Sequence, residues 1–206
     1  MNAYVLVGGR SRRMGESKAG LFLERVVRAA RPVFDEVVAV ERMPPVILSR
    51  VDGEGPPDSR ADRAIGRGSF AVYAAQDDRR TIHEEPHDGE GAIFGVVRAL
   101  QDARAKCFVL AVDYPLITSD ILRFLRDDGR MPEWNGRPQP LCTVWDAAWL
   151  PRIEERIARG ALDLRGAVET EIIPESELRS RFPGEPLLNV NTPEEWERAQ
   201  RFLASR

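Results

Sequence analysis

The chain is poor in the residues that build redox, zinc and hydrolytic centres. Among 206 residues its only cysteines are Cys107 and Cys142, and its only histidines are His83 and His87. Both cysteines lie inside apolar, strand-like runs, KCFVLAV and PLCTVW, so free buried thiols are expected and a disulfide or thiolate metal site is not. The histidines belong to the string HEEPH, which spells H-E-x-x-H. That zinc pattern needs both imidazoles on one face of a regular helix, and Pro86 with Gly89 and Gly91 forbids such a helix, so the match is read as accidental. Long apolar runs are missing as well: no stretch of eighteen residues lacks polar groups, and the start of the chain has no secretory pattern, which predicts a cytoplasmic protein off the membrane. A net charge of −3 and a pI near 5.6 exclude a protein that coats nucleic acid, since phosphate-backbone binding generally needs a basic surface. Any anion must therefore be met by local charge.

What is present is an alternation of short β-rich runs with longer segments of helical period. AYVLV (3–7) precedes a helical stretch over 18–31, EVVAV (36–40) follows, FVLAV (108–112) and LCTVW (141–145) read as further strands, and a helix over 119–127 is expected to be capped by Ser119. Leu150, Ile153 and Ile157 mark another helical stripe, and Asn191 or Thr192 ahead of Pro193, Glu194 and Glu195 opens a terminal helix. The pattern predicts a single α/β domain over 1–206 with a mostly parallel sheet between helical layers. Residues 50–69, rich in Gly, Pro, Asp and Arg, read as a surface loop.

The first strand runs into VGGRSRRMGESK, where Gly8 and Gly9 meet Arg10, Arg12, Arg13 and Lys18. In open parallel sheets ligands bind beyond the carboxyl ends of the strands. Paired glycines offer bare backbone N–H groups, the next helix offers its positive end, and Arg and Lys offer forked and point charge to phosphate oxygens. The spacing fits neither a P-loop nor a dinucleotide fingerprint. Asp113 ends the buried run FVLAV, a position that suits a Mg²⁺ ligand sharing its cation with substrate phosphates; the same residue also fits a turn ahead of Ser119. Asn189 and Asn191 flank Val190 and would share one side of an extended segment, while Asn191 also fits a helix N-cap.

Residues 6–18, L-x-G-G-R-S-x-R-M-G-x-x-K, resemble the signature loop of the molybdenum cofactor guanylyltransferase family. The resemblance continues in order through FDEVVAV, GAIFGV, VDYPLI, RPQPLCTVW and LLNVNTPEEW. It implies a three-layer α/β/α, Rossmann-like nucleotidyltransferase that transfers GMP from GTP to the molybdenum-bearing molybdopterin cofactor with Mg²⁺, releasing pyrophosphate. A molybdoenzyme or insertion chaperone would receive the product. In its terms Arg13, Lys18 and Asp113 are the catalytic residues, with Asp113 on the metal. Leu6, Val7, Gly8, Gly9, Arg10, Lys18, Glu85, Gly91 and Asp113 line the nucleotide, Glu84 being the alternative to Glu85, and Asn189 and Asn191 face the pterin. Glu41, Ala92 and Val7 replace the family's usual asparagine, proline and alanine at nucleotide contacts, and part of a short apolar hairpin after Lys18 is missing. Cytidylyl transfer, sugar-phosphate nucleotidyl transfer and a non-catalytic binding module are the competing readings.

Overall fold

The computed structural model describes residues 1–7, 18–42, 80–84 and 91–204. Its main sheet is made of β1 (Ala3–Val7), β2 (Val37–Glu41), β3 (Thr81–His83), β4 (Cys107–Ala111) and β7 (Cys142–Trp145), in the order β3-β2-β1-β4-β7. The first four run parallel and β7 pairs antiparallel with β4. This sheet lies between helices on both faces, the three-layer arrangement that the alternating pattern predicts.

Period-two side-chain alternation sorts β1 between the two faces. Ala3, Val5 and Val7 join one core with Phe22, Val26 and Ala30 of helix α1 (Lys18–Ala30), Ile121 and Leu125 of α3 (Ser119–Asp128), and Ala199 of α6 (Pro193–Ala204). Tyr4 and Leu6 join the opposite core with Ile93, Val96 and Leu100 of α2 (Ile93–Ala103) and Ile153 of α4 (Leu150–Ala158). Because both faces are covered, β1 and β4 are buried along their whole lengths, which is why their sequences read as uninterrupted apolar runs. Cys107 and Cys142 are buried free thiols in β4 and β7, and burial pushes the Cys107 thiol up to about 12.

One helix start differs from expectation, and at another the structure chooses between two expected caps. Thr118 occupies the N-cap of α3 with no side-chain cap bond, and Ser119 is already the first helical residue. The Ser119 hydroxyl instead donates to the carbonyl of Ala29, 2.8 Å away, satisfying an acceptor in the last turn of α1. Ser119→Ala is therefore expected to cost about 1 kcal/mol in urea unfolding, whereas Thr118→Ala stays within about 0.5 kcal/mol. Reversed costs would return the capping role to the sequence-based assignment. At α6 the cap is Thr192 and not Asn191: its Oγ1 accepts from Glu195 N at 3.3 Å, and Glu195 Oε2 accepts from Thr192 N at 2.9 Å, a reciprocal capping box.

A second, smaller sheet in the order β6-β5-β8 was not expected from the sequence. Strands β5 (Met131–Trp134) and β6 (Arg137–Pro138) form a hairpin across Asn135 and Gly136, whose φ of 52° and 66° suit a two-residue turn. β8 (Ile172–Ile173) adds parallel to β5 and leads into helix α5 (Glu175–Arg181). At the amino-terminal end of the main sheet, Arg80 forks onto Glu36 and Asp102, and Tyr4 donates to Asp102 at 2.7 Å, which ties the start of β3 to its neighbours. Among the described residues no helix is long and apolar enough to cross a membrane.

Candidate active site

The connections place a topological switch point between β1 and β4: from β1 the chain builds outward through β2 and β3, then returns to β4 on the other side of β1. Crevices beyond the carboxyl ends of such strands are where open α/β sheets hold ligands. Here the register pairs Leu6 with Ala111, and Val112 N donates to Leu6 O at 3.3 Å, so the two strands leave the sheet side by side. In sequence the glycine-rich stretch follows β1 directly after Val7, and Asp113 follows β4 by two residues. Leu6 and Val7 themselves are buried, with side chains in opposite cores. Gly8, Gly9, Arg10, Arg13 and Glu85 lie outside the described residues, as does the 50–69 loop. Lys18 is the first residue of α1, which begins directly there, as the missing hairpin implies.

Asp113 is half-buried on a loop pinned by the side chains of Tyr114, Leu116 and Ile117, all buried. Its backbone carbonyl accepts from Val190 N at 2.9 Å. That bond carries the 187–191 segment, itself anchored by buried Leu187, Leu188 and Val190, onto the end of β4 and sets Asn189 and Asn191 beside Asp113 in the fold. Asn191 is held twice, its backbone N–H by Glu195 Oε2 at 2.5 Å and its side-chain amide by Asn189 Oδ1. The two asparagines thus point to one side, as the intervening valine requires.

On the other core face, Gly91 adopts a φ of +154°, a conformation that favours glycine, one residue before Ala92 at the start of α2. The helix begins at Ile93, so Phe94 and Gly95 belong to its first turn and not to the preceding loop, and Phe94 packs on the core. Glu84 follows β3, is 8% exposed, and has its N–H bonded to Glu41 O at 2.9 Å. A methyl group built on Gly95 would stand 2.8 Å from Glu84 Oε1 and 3.2 Å from Leu6 Cδ2. Absence of a side chain at 95 is what lets the Glu84 carboxylate lie over α2 beside β1. Glu84 continues the alternation from buried Ile82 through exposed His83 and is itself buried, while Glu85 lies outside the described residues. His83 is extended on β3, which removes the helical premise of the H-E-x-x-H pattern.

The half-buried acid beyond β4, the end of β1 beside it and the asparagine pair alongside set an α/β domain's ligand crevice at the switch point. The family described as MobA-like NTP transferase domain matches residues 3–172, and the chain belongs to it. A probable molybdenum cofactor guanylyltransferase of Mycobacterium avium (strain 104) is 30% identical, with 91% of this chain and 89% of the relative covered. Another from Aquifex aeolicus (strain VF5) is 30% identical over 95% of this chain and 88% of its own length. Among solved structures, the molybdopterin-guanine dinucleotide biosynthesis protein A of Archaeoglobus fulgidus superposes with a TM-score of 0.74 at 22% identity, covering 100% of both chains, which supports the same fold.

Proposed function

We propose that this nucleotidyltransferase moves GMP from GTP to the terminal phosphate of molybdenum-bearing molybdopterin. The observation that carries the reading is the Val190 N to Asp113 O bond at the switch point, which joins the carboxyl end of β4 to the asparagine segment. In the reaction an acceptor phosphate oxygen attacks the α-phosphorus, the new P–O bond forms as the bond to the β-phosphate bridging oxygen breaks, and pyrophosphate leaves. An ionised phosphate needs no side-chain base, so positioning and charge neutralisation are the protein's tasks. Gly8 and Gly9 let the backbone approach the phosphates, and Arg10, Arg13 and Lys18 offset their charge. The Asp113 carboxylate is the hard oxygen donor that would hold Mg²⁺, which takes one or two carboxylates and completes its shell with phosphates and water. Bound there, Mg²⁺ would neutralise charge on the reacting phosphates.

The relatives' names point to guanine, and Glu84 gives that choice a chemical basis. A carboxylate accepts paired N–H donors, and guanine presents N1–H and N2–H side by side on one edge. Gly91 would let the chain pass close to the base. A competition titration and a turnover assay test the reading: Mg²⁺-GTP displaced by CTP and ATP, and pyrophosphate release with molybdopterin as acceptor. GTP preference of at least about tenfold with acceptor-dependent release is expected. Preference for CTP would shift the assignment to cytidylyl transfer, and tight GTP binding without release would leave a binding module.

Gly95→Ala probes the Glu84 side of the pocket. The new methyl displaces the carboxylate, the movable member of that contact, while the better helix former offsets part of the strain by about 1 kcal/mol. The Kd for GTP is expected to rise about tenfold with stability changed by less than about 1 kcal/mol, read by titration and urea unfolding. Unchanged GTP affinity would remove Glu84 from the base pocket.

A further inference from the structure

Helix α2 meets the β3 segment three times along one face. Gly95, Arg98 and Asp102 stand at spacings of three and four residues, which sets them in one stripe of the helix. Asp102 receives Arg80, just ahead of the strand, with Nη1 at 2.9 Å and Nη2 at 2.7 Å. Arg98 Nε donates to the His83 carbonyl at the strand's end, 2.9 Å away. Gly95 leaves the space that the next side chain, Glu84, occupies, since a methyl group there would stand 2.8 Å from Glu84 Oε1. The helix thus holds the main chain of His83 and admits the side chain of Glu84.

The Arg98 contact falls on a group that the sheet does not satisfy. In a trans peptide the C=O and N–H point in opposite directions. The unit between His83 and Glu84 turns its N–H to β2, where it donates to Glu41 O at 2.9 Å, so its carbonyl points away from β2. β3 is the last strand in the order β3-β2-β1-β4-β7, and among the described residues no strand lies beyond it. An edge carbonyl of this kind is ordinarily left to water. Here a guanidinium takes it, and the peptide unit that delivers Glu84 is bonded at both poles. β3 is only three residues long, so its own ladder gives this end little hold.

We propose that Arg98 is a positioning residue for guanine selection: by holding the peptide unit between His83 and Glu84, it keeps the Glu84 carboxylate over Gly95 and aimed at the base. The inference rests on the base-reading role given to Glu84 above. Arg98 itself need not touch the nucleotide. Its loss leaves the peptide unit fixed through one bond, and the carboxylate can then swing with the chain. That weakens a paired acceptor, which depends on direction, more than it weakens contacts to phosphate.

Arg98→Met is the sharpest test, because it keeps an apolar stem and a good helix former and removes the donor. The probe is inosine triphosphate, which matches GTP except for the 2-amino group and so offers the carboxylate one N–H in place of two. The wild type is expected to prefer GTP over it about tenfold, and Arg98→Met only about twofold. The change should come from an about fivefold rise in the Kd of Mg²⁺-GTP, while that of inosine triphosphate moves less than about twofold. Arg98→Ala should give the same split and serves if the methionine variant folds poorly. Added to Gly95→Ala, Arg98→Met should cost less than about twofold more, because both act through one carboxylate; independent effects would multiply to about fiftyfold. A readout independent of nucleotide is hydrogen exchange at the Glu84 backbone N–H, expected to be at least about tenfold faster in the Arg98 variants. An unchanged GTP preference, or multiplying effects, would overturn the proposal. Glu84→Gln tests the base-pocket reading by itself. If it leaves the preference intact, that reading falls, and exchange at Glu84 then decides the hold on β3: faster exchange upholds it and unchanged exchange ends it.

Discussion

Asp113→Ala is expected to lower Mg²⁺-dependent pyrophosphate release at least about 1000-fold, roughly 4 kcal/mol of transition-state stabilisation. The size follows from the division of labour proposed for this residue. Its backbone carbonyl receives Val190 N, and its loop is held by buried Tyr114, Leu116 and Ile117. These contacts are made by the backbone and by neighbouring side chains, and they remain available to the alanine variant. What it removes is the anionic oxygen pair that a hard cation requires at the end of β4. Asp113→Asn sharpens the test, since it keeps an oxygen of similar placement and loses the charge; it should fall with alanine and not with the wild type. Metal-free GTP binding should change little, and the tightening of GTP by Mg²⁺ should vanish. Near-normal turnover in Asp113→Ala would sink the metal assignment and reduce Asp113 to a turn residue.

The parts of this enzyme legible in the sequence are those governed by local period or local chemistry. β1 and β4 announce themselves because burial on both faces leaves only apolar side chains along Ala3–Val7 and Cys107–Ala111. Asp113 is legible because a charged residue directly after such a run must lie at the strand's end. Helix caps are read less well, since neighbouring Thr and Ser or Asn and Thr compete for one position, and the choice at Thr118 and Thr192 is made by tertiary partners such as Ala29 O and Glu195. The small sheet went unread although the pair Asn135 and Gly136 is a turn signal of the kind that hairpins need, because strands of four and two residues carry no period. Least legible are contacts between distant segments. Nothing around Gln139 indicates that its amide meets Tyr114, 25 residues away, and nothing around Gly95 indicates that a buried acid lies over it.

Lys18→Ala is expected to move activity and stability in opposite directions, a signature that distinguishes a phosphate ligand from a surface charge. Lys18 opens α1, whose first turn contains no acidic residue. An exposed cation in a helix's first turn opposes the positive end of the helix dipole, typically by about 0.3–1 kcal/mol. By contrast α3, α5 and α6 carry Asp120, Glu175 with Glu177, and Glu194 with Glu195 in their first turns, as dipole electrostatics favours. α2 and α4 also lack an acid in their first turns, and α4 carries Arg152 there, so what singles out Lys18 is its place directly after the glycine-rich segment that ends β1. A triphosphate held by the preceding loop supplies the reason, since the anion would satisfy both the helix end and the lysine. Removing the ammonium should therefore slow GMP transfer by about 30- to 1000-fold, on the scale of about 2–4 kcal/mol for a preorganised donor. In the absence of nucleotide the variant should unfold at equal or higher urea concentration, because alanine is the better helix former and the unfavourable charge is gone. Saturating GTP should then stabilise wild type more than the variant, reversing their order. Loss of stability without nucleotide, or retained turnover, would assign Lys18 to the fold and leave the glycine loop to bind phosphate without it.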